Sequence, residues 1–201
     1  KQFIYASTMS VYGDKPDVPV TEDLDSRPKS FYGVGKLASE HYMRIYEQYG
    51  INSTALRLFN VYGPGQNMLN LRQGMVSIFL AQAIKDHHVH VKGSAKRYRD
   101  FIYIDDVVDA LIKVREEQPP KYTVFNIATG IRTTVGELIE LIRSFLEYEV
   151  SVHFEGSTPG DQMGITGNNS AIKNELNWSP QINLKEGLNR MISWAKEETS
   201  E

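Results

Sequence analysis

The N-terminal part of the chain alternates between two apolar runs and one helix-patterned stretch. The apolar runs, at 2–7 and 53–60, indicate two strands. Between them, Ser30 is placed to cap a helix that runs to Tyr49, and Gly50 follows its end. A strand, a helix and a second strand in this order predict a parallel βαβ unit, because parallel strands need a crossover connection. The chain is therefore constrained to the α/β fold class.

The rest of the chain continues this alternation. Its patterns predict further strands at 89–92, 124–128 and 150–154, and helices at 75–84, 138–146, 170–176 and 184–196. A strand-like run over 99–106 leads into a helix through Val114 that Asp105 or Asp106 can cap. Thr134 and Glu137 have the spacing of a capping box ahead of the next helix.

Tyr32 and Lys36 form the pair with the clearest chemical potential. Residues four apart on a helix lie one above the other on one face, so the phenol and the ammonium can act together. A free tyrosine, with a pKa of about 10, is a poor base near neutral pH, and a neighbouring cation favours its phenolate. Thr8, at the end of the first predicted strand, can supply a third group. These residues are candidates for proton transfer.

The same predicted helix carries an apolar stripe at helical spacing, formed by Ala38, Tyr42, Ile45 and Tyr49. We expect this stripe to pack against the core. At roughly 100° per residue, the tyrosine–lysine pair lies well off the stripe and is free to face a site.

Composition argues against two classes of function. The net charge is −3 and no basic block is interleaved with aromatic residues, so nothing indicates nucleic-acid binding. No apolar run approaches the roughly 20 residues that span a bilayer, so we expect no membrane segment. The sequence has no cysteine and no signal-peptide pattern, which favours a reducing compartment and a cytoplasmic location.

Several short motifs occur in an order and spacing typical of one protein family. They are Ser7-Thr8 before Val11-Tyr12-Gly13, Tyr32-x-x-x-Lys36, Arg57-Leu58-Phe59-Asn60 before Tyr62-Gly63-Pro64, Arg99-Asp100-Phe101-Ile102-Tyr103-Ile104-Asp105-Asp106, Phe125-Asn126-Ile127, and Pro159-Gly160-Asp161 ahead of Glu175-Leu176-Asn177-Trp178. In these motifs the chain resembles the extended short-chain dehydrogenase/reductases that act on nucleotide sugars, most nearly the UDP-glucose 4-epimerase type. The resemblance runs from Phe3 to about Trp194.

The resemblance implies a fold with two parts. One is the C-terminal part of a Rossmann-type parallel sheet with helices, a remnant of the NAD-binding domain at 1–62 and 99–129. The other is a smaller α/β substrate-binding domain for the nucleotide sugar, at 63–98 and 130–201. A homodimer, in which the helix of the tyrosine–lysine pair helps to form the interface, is also implied.

The resemblance further implies epimerisation at C4 of a UDP-sugar through a transient 4-keto intermediate, with NAD as the cofactor. Tyr32 would be the base and acid at the C4 hydroxyl, Lys36 would favour its phenolate, and Thr8 would hydrogen-bond the reacting oxygen. The residues implied to hold NAD are Ser7, Tyr32, Lys36 and Phe59. The residues implied to hold the UDP-sugar are Thr8, Asn60, Arg99 and Asp161, where an arginine fork suits the diphosphate.

One departure from the family pattern limits this expectation. The glycine-rich Gly-x-x-Gly-x-x-Gly turn, which brings backbone amides against the pyrophosphate, is absent from the sequence. Gly33-Val34-Gly35 is no substitute, because it opens a helix after a loop and lacks the third glycine. We therefore expect the chain, which begins at Lys1, to be an incomplete form of the enzyme and to be inactive alone.

Met9 and Ser10 bear on the reaction type. Relatives that dehydrate or decarboxylate the sugar carry an acidic residue after the hydroxyl residue, and here neither position is acidic. This favours epimerisation over dehydration or decarboxylation. A keto-reductase of the same superfamily stays open as an alternative. So does a function of another class, a non-catalytic substrate-binding or dimerisation fragment.

Most of these residues also have a purely structural interpretation. Thr8 could hydrogen-bond its own backbone at a strand end, Asn60 could be a turn residue, and Arg99 could pair with Asp100 or Asp161.

A histidine cluster at His87, His88 and His90 has no clear fourth ligand. A solvated loop is favoured there over a metal site.

Overall fold

The computed structural model describes residues 1–15, 18–70, 74–156 and 163–198. Its strands are β1 (Gln2–Thr8), β2 (Asn52–Leu58), β3 (Asn60–Tyr62), β4 (His88–Lys92), β5 (Tyr98–Arg99), β6 (Phe101–Tyr103), β7 (Thr123–Ile127), β8 (Thr133–Thr134), β9 (Ser151–Glu155) and β10 (Gly164–Ile165). Its α-helices are α1 (Phe31–Tyr46), α2 (Met75–Asp86), α3 (Ile104–Glu117), α4 (Val135–Ser144), α5 (Ser170–Leu176) and α6 (Leu184–Glu198). Short 3-10 helices follow β1 and α1, at Met9–Val11 and Glu47–Tyr49.

A parallel three-stranded sheet in the order β1-β2-β7 organises the first part of the chain. Ser7 lies opposite Arg57 and Thr8 opposite Leu58 in the β1–β2 register. Because α1 connects these two parallel strands, the predicted βαβ unit and the α/β class are confirmed. The carboxyl ends of parallel strands meet at one edge, so the residues that follow β1 and β2 lie close together there.

Three smaller sheets extend the structure. β3 pairs with β6 and β4 pairs with β9, both in parallel, while β5 lies between β10 and β8. One hydrophobic cluster joins β2, β7, α3 and α5, through residues such as Leu56, Phe125, Val107 and Ile172. A larger one joins α2, α4 and α6, through residues such as Leu80, Ile139 and Met191. The division into two domains stays a prediction.

The start of α1 is as predicted, because the Ser30 side chain accepts a hydrogen bond from the Gly33 backbone N–H at 3.0 Å. Gly33 lets this turn approach the loop after β1: a Cβ there would lie 2.7 Å from the carbonyl oxygen of Ser10. The last predicted turn is a 3-10 helix, and Gly50 beyond it is left-handed.

The predicted packing face of α1 is wrong. Tyr42 and Tyr49 of the apolar stripe are 65% and 70% exposed, whereas Glu40 and Met43 are buried against the sheet. The helical period shows that α1 is amphipathic but not which face the sheet covers. A charged residue reaches the interior because an opposite charge meets it there, as described below.

Helix capping gives one confirmation and one correction. Thr134 and Glu137 form the predicted capping box before α4. Neither Asp105 nor Asp106 caps α3, whose N-cap is Tyr103 without a side-chain hydrogen bond.

The Asp106 carboxylate is committed elsewhere. It accepts hydrogen bonds from the backbone N–H groups of Gln181 and Ile182, at 2.8 and 3.1 Å, and so anchors the approach to α6. Among the residues described, no helix combines the length and apolar character needed to cross a membrane.

Candidate active site

A cleft of about 500 Å³ opens where β1 and β2 end. It is lined on one side by the 3-10 turn after β1 and by α1, and on the other by β3 and the start of α2. Most of the predicted site residues line it, namely Ser7, Thr8, Tyr32, Lys36, Phe59 and Asn60. The fold thus brings together residues from separate parts of the chain.

The Lys36 ammonium is held at the floor of this cleft. Its Nζ donates a hydrogen bond to the backbone carbonyl of Ala6 at 2.8 Å and lies 4.8 Å from the centre of the Tyr5 ring. The same nitrogen is 5.7 Å from the centre of the Tyr32 ring, and Tyr32 is 56% exposed. At this range a cation attracts the charge of a phenolate.

The Thr8 hydroxyl has a local role as well as a place in the cleft. Its Oγ1 accepts from the Ser10 backbone N–H and donates to the Ser10 Oγ, both at 3.2 Å. The structural interpretation considered for Thr8 is therefore observed. Thr8 nevertheless lines the cleft, where it is buried beside Ser7 and Ser10.

Asn60 lies in β3 rather than in a turn. Its amide nitrogen donates to the Asp100 carbonyl at 2.9 Å, and its backbone N–H donates to the same oxygen at 3.1 Å. The same nitrogen lies 3.7 Å from the Met9 sulfur, a weak acceptor, so its second hydrogen and the side-chain carbonyl are the groups that Asn60 can offer a ligand.

Arg99 does not line the cleft formed by the described residues. It belongs to β5, where a guanidinium nitrogen donates to the Tyr98 carbonyl at 2.7 Å. Burial, with a further contribution from Arg97, lowers the pKa of Arg99. Asp161, the remaining predicted ligand of the nucleotide, lies outside the described residues.

Asp100 was considered as a partner of Arg99, but its carboxylate accepts hydrogen bonds from backbone N–H groups and from a threonine hydroxyl. Its fully buried carboxylate accepts from the N–H groups of Thr129, Gly130 and Gly167 at 2.9 to 3.0 Å and from the Thr129 hydroxyl at 2.6 Å. Burial raises the pKa of Asp100, although these hydrogen bonds oppose the rise.

A second cavity, also of about 500 Å³, adjoins the cleft at Gly74 and Met75. Its walls carry His90, Lys92 and Arg97 beside apolar side chains of α2. Sequence analysis did not single out Lys92 and Arg97 as a site. The basic turn from Lys92 to Arg97 is a signal that could have drawn attention to them.

The three histidines are ordered rather than part of a solvated loop. His87 ends α2 and stacks on Tyr148 at 4.1 Å, while His88 and His90 belong to β4. The His90 ring lies 2.8 Å from a carboxylate oxygen of Glu155. No set of three or more histidine, cysteine or acidic residues suited to a metal ion occurs in the described parts of the chain.

Comparison with known proteins gives a family match over the first part of the chain. The model of the NAD-dependent epimerase/dehydratase family matches residues 1–128. This stretch includes the cleft residues described above.

Individual relatives differ in the reaction that their names describe. The UDP-glucose 4-epimerase of Thermotoga maritima, solved with UDP-glucose, is 32% identical, with a TM-score of 0.93, over 99% of this chain and 64% of its own. UDP-glucuronic acid decarboxylase 1 of Arabidopsis thaliana is 32% identical over 96% of this chain and 45% of its own length. The dTDP-4-dehydro-6-deoxyglucose reductase of Escherichia coli is also 32% identical, over 96% of this chain and 60% of its own. This chain thus spans less than two thirds of each.

Proposed function

Because the chain belongs to the NAD-dependent epimerase/dehydratase family, we propose that it supplies the catalytic and UDP-sugar-binding part of an enzyme that inverts C4 of a UDP-sugar. The observation that carries this proposal is the joint presence of Tyr32, Lys36 and Thr8 in one cleft, with the Lys36 ammonium 5.7 Å from the Tyr32 ring. The family and the cleft together support this function better than a simple binding role.

In the proposed reaction Tyr32 moves one proton at the sugar C4 oxygen. Its phenolate takes the proton of the C4 hydroxyl as the 4-keto sugar forms, and the phenol returns it when the hydroxyl re-forms at inverted C4. Lys36 stabilises the phenolate, and Thr8 holds the C4 oxygen by a hydrogen bond. NAD, when bound, supplies the hydride acceptor and later the hydride donor.

The described residues fit one end of NAD. Ser7, Tyr32, Lys36 and Phe59 give the cleft hydroxyl, ammonium and aromatic groups beside one another, which suits a ribose and a nicotinamide ring. No glycine-rich turn for the pyrophosphate occurs in the sequence. We therefore propose that the chain alone binds NAD weakly.

The second cavity is proposed to receive the nucleotide diphosphate of the substrate. It opens from the cleft, and Lys92 and Arg97 give it positive charge beside an apolar wall. Arg99 is proposed to add to the attraction for the diphosphate from β5, and Asn60 to bind from the cleft.

Met9 and Ser10 favour epimerisation among the reactions that the relatives' names describe. Both residues line the cleft, and neither provides the acidic group expected of a dehydratase or decarboxylase. A keto-reductase is the second candidate, because it needs the same proton transfer without an acid at these positions. The E. coli relative named as a reductase supports keeping it.

We also propose that α1 forms a homodimer contact. The outward face of α1 and of the 3-10 turn after it carries Tyr42, Ile45 and Tyr49, all exposed, and contiguous apolar surface of this kind marks association sites. A binding or dimerisation module without catalysis, the candidate of another class, would use this same face but would not need Tyr32.

Calorimetric titration of the 201-residue chain tests the substrate half of the proposal. We expect UDP-glucose or UDP-N-acetylglucosamine to bind, and Lys92→Met to weaken binding more than Lys96→Met does. Lys96→Met is the matched control, because it removes the same charge from the same turn and Lys96 does not line the cavity. If neither UDP-glucose nor UDP-N-acetylglucosamine binds to the folded chain, the proposal is contradicted.

A further inference from the structure

One buried carboxylate joins three elements of the candidate active site. Glu40 of α1 is 2% exposed and accepts a hydrogen bond of 2.5 Å from the Ser7 hydroxyl of β1. The same carboxylate accepts two hydrogen bonds from Arg57 of β2, at 3.1 Å from Nε and 2.7 Å from a terminal nitrogen. Ser7 and Arg57 are direct neighbours in the β1–β2 register.

The arginine of this cluster is itself surrounded. Arg57 is 5% exposed, also donates to the Glu22 carbonyl at 3.2 Å, and lies over the Tyr12 ring at 4.7 Å. Burial alone would lower the pKa of Arg57, but its hydrogen bonds and charge attraction to Glu40 and Tyr12 raise it overall. The contact between Arg57 and Glu40 has two prongs, and such a contact between planar groups fixes angle as well as distance.

The cluster and the candidate catalytic pair occupy consecutive turns of α1. Tyr32, Lys36 and Glu40 are spaced by four residues, so they follow one another along one side of the helix. Lys36 bonds to Ala6 and Glu40 to Ser7, which are the two residues before Thr8 in β1. Rotation of α1 about its axis would break both contacts.

Hydrophobic burial alone does not explain this rotation of α1. Met43 and, in part, Leu37 pack inward, but Tyr42, Ile45 and Tyr46 stay more than half exposed while the charged Glu40 is buried. A helix oriented by burial alone would bury its more apolar side in preference to a carboxylate. The directional contacts of Glu40 are the feature that selects the observed orientation.

We infer that Glu40 is a positioning residue that, clamped by Arg57 and Ser7, holds α1 at the rotation that brings Tyr32 and Lys36 to Thr8. The catalytic importance of this role rests on the proposed function; the structural role does not. Glu40 is not among the residues that line the cleft, and it acts through Ser7 and the helix that carries the pair.

The test uses two variants and a control in the 201-residue chain. Glu40→Gln leaves Arg57 charged and unpaired, so we expect its melting temperature to fall sharply. The double variant Glu40→Met/Arg57→Met should recover most of that loss, because apolar replacement of a buried ion pair is often neutral. Two flexible thioethers fill the space but fix no angle.

Asp106→Asn is the matched control. Asp106 is likewise a buried carboxylate, but it lies on α3 and accepts its hydrogen bonds from backbone N–H groups ahead of α6. The Asp106→Asn variant therefore shows the effect of a weakened fold in which the contacts that hold α1 are intact.

The readout is the nuclear Overhauser cross-peak between the Lys36 side chain and the Tyr5 ring, which records the 4.8 Å contact. We expect its loss in Glu40→Met/Arg57→Met despite the recovered melting temperature, and its retention in Asp106→Asn. Retention in the double variant, or loss in the control as well, would overturn the inference.

Turnover separates this inference from the proposed function. It is measured in a fusion protein that carries a glycine-rich NAD-binding segment of the family ahead of Lys1, hereafter the fusion. The double variant should lower kcat by about 10²-fold, the scale of a misplaced catalytic group, with KM nearly unchanged. If the fusion shows no turnover but the cross-peak changes as expected in the variants, the proposed function is contradicted and the positioning role of Glu40 is still supported.

Discussion

The side-chain ammonium of Lys36 lies 2.8 Å from the backbone carbonyl oxygen of Ala6, two residues before Thr8. A residue of α1 is thereby joined to the strand that carries the third member of the candidate catalytic group. The contact leaves the ammonium two further hydrogens for other acceptors in the cleft.

Replacement of Tyr32 by phenylalanine in the fusion should lower turnover by orders of magnitude and leave UDP-sugar affinity nearly unchanged. The change removes the proton-transfer group but little binding surface. Steady-state kinetics and calorimetry measure the two quantities. Tyr42→Phe is the control, because Tyr42 is an exposed tyrosine of the same helix outside the cleft. Near-normal turnover of Tyr32→Phe would rule out Tyr32 as the base.

Arg99→Ala should weaken UDP-sugar binding by roughly 2 kcal/mol or more, the scale of a charge-assisted bond to a buried anion. Calorimetry of the 201-residue chain measures this change. Arg143→Ala, which removes a partly exposed arginine paired with Glu140 on α4, should leave the affinity unaltered. Unchanged affinity in Arg99→Ala would identify Arg99 as a structural residue.

Thr134→Ala should lower the free energy of unfolding by about 1 kcal/mol at neutral pH, because it removes the hydroxyl that caps α4 and bonds the Glu137 carboxylate, although the backbone N–H of residue 134 keeps its bond to that carboxylate. Hydrogen bonds from the backbone and the hydroxyl of Thr134 lower the pKa of Glu137. A carboxylate with a lowered folded-state pKa stabilises the fold above its unfolded pKa, and this contribution is lost as pH falls through the folded one. The wild-type advantage over Thr134→Ala should therefore shrink below about pH 4. Urea unfolding at several pH values measures it, and a pH-independent difference would contradict the assignment.

The chain should self-associate through the outward face of α1. Light scattering should give a mass above that of one chain, and Tyr42→Lys should reduce it by placing a charge in the apolar contact. Ile112→Lys is the control, since Ile112 is an exposed apolar residue of α3. A monomer at every concentration, or equal effects of both variants, would contradict the proposed interface.

Local patterns in the sequence predicted the longer helices and strands, and the motifs of the family resemblance predicted much of the cleft. The Ser30 cap, the capping box at Thr134 and the parallel unit around α1 depend on neighbouring residues or on short connections, and each is observed. Tyr32 and Asn60 both line the cleft: Asn60 comes shortly after the end of β2, and Tyr32 lies in the first turn of α1.

Non-local pairing explains what sequence patterns missed. Glu40 sets the inward face of α1, and its partner Arg57 lies 17 positions away, on strand β2. Asp106 does not cap α3, because its carboxylate binds the backbone N–H groups of Gln181 and Ile182. These partners are 75 and 76 positions away in the sequence. Such contacts leave no periodic signal, so helical spacing alone cannot reveal them.

Conversion of UDP-glucose to UDP-galactose by the fusion, followed by chromatography with NAD present, tests the central claim most directly. The account predicts interconversion without net accumulation of reduced cofactor, because the hydride is returned to the sugar, and loss of that activity in Tyr32→Phe. UDP-N-acetylglucosamine is assayed in parallel to cover an N-acetylated substrate. A folded fusion that binds NAD and both nucleotide sugars yet epimerises neither would contradict the account.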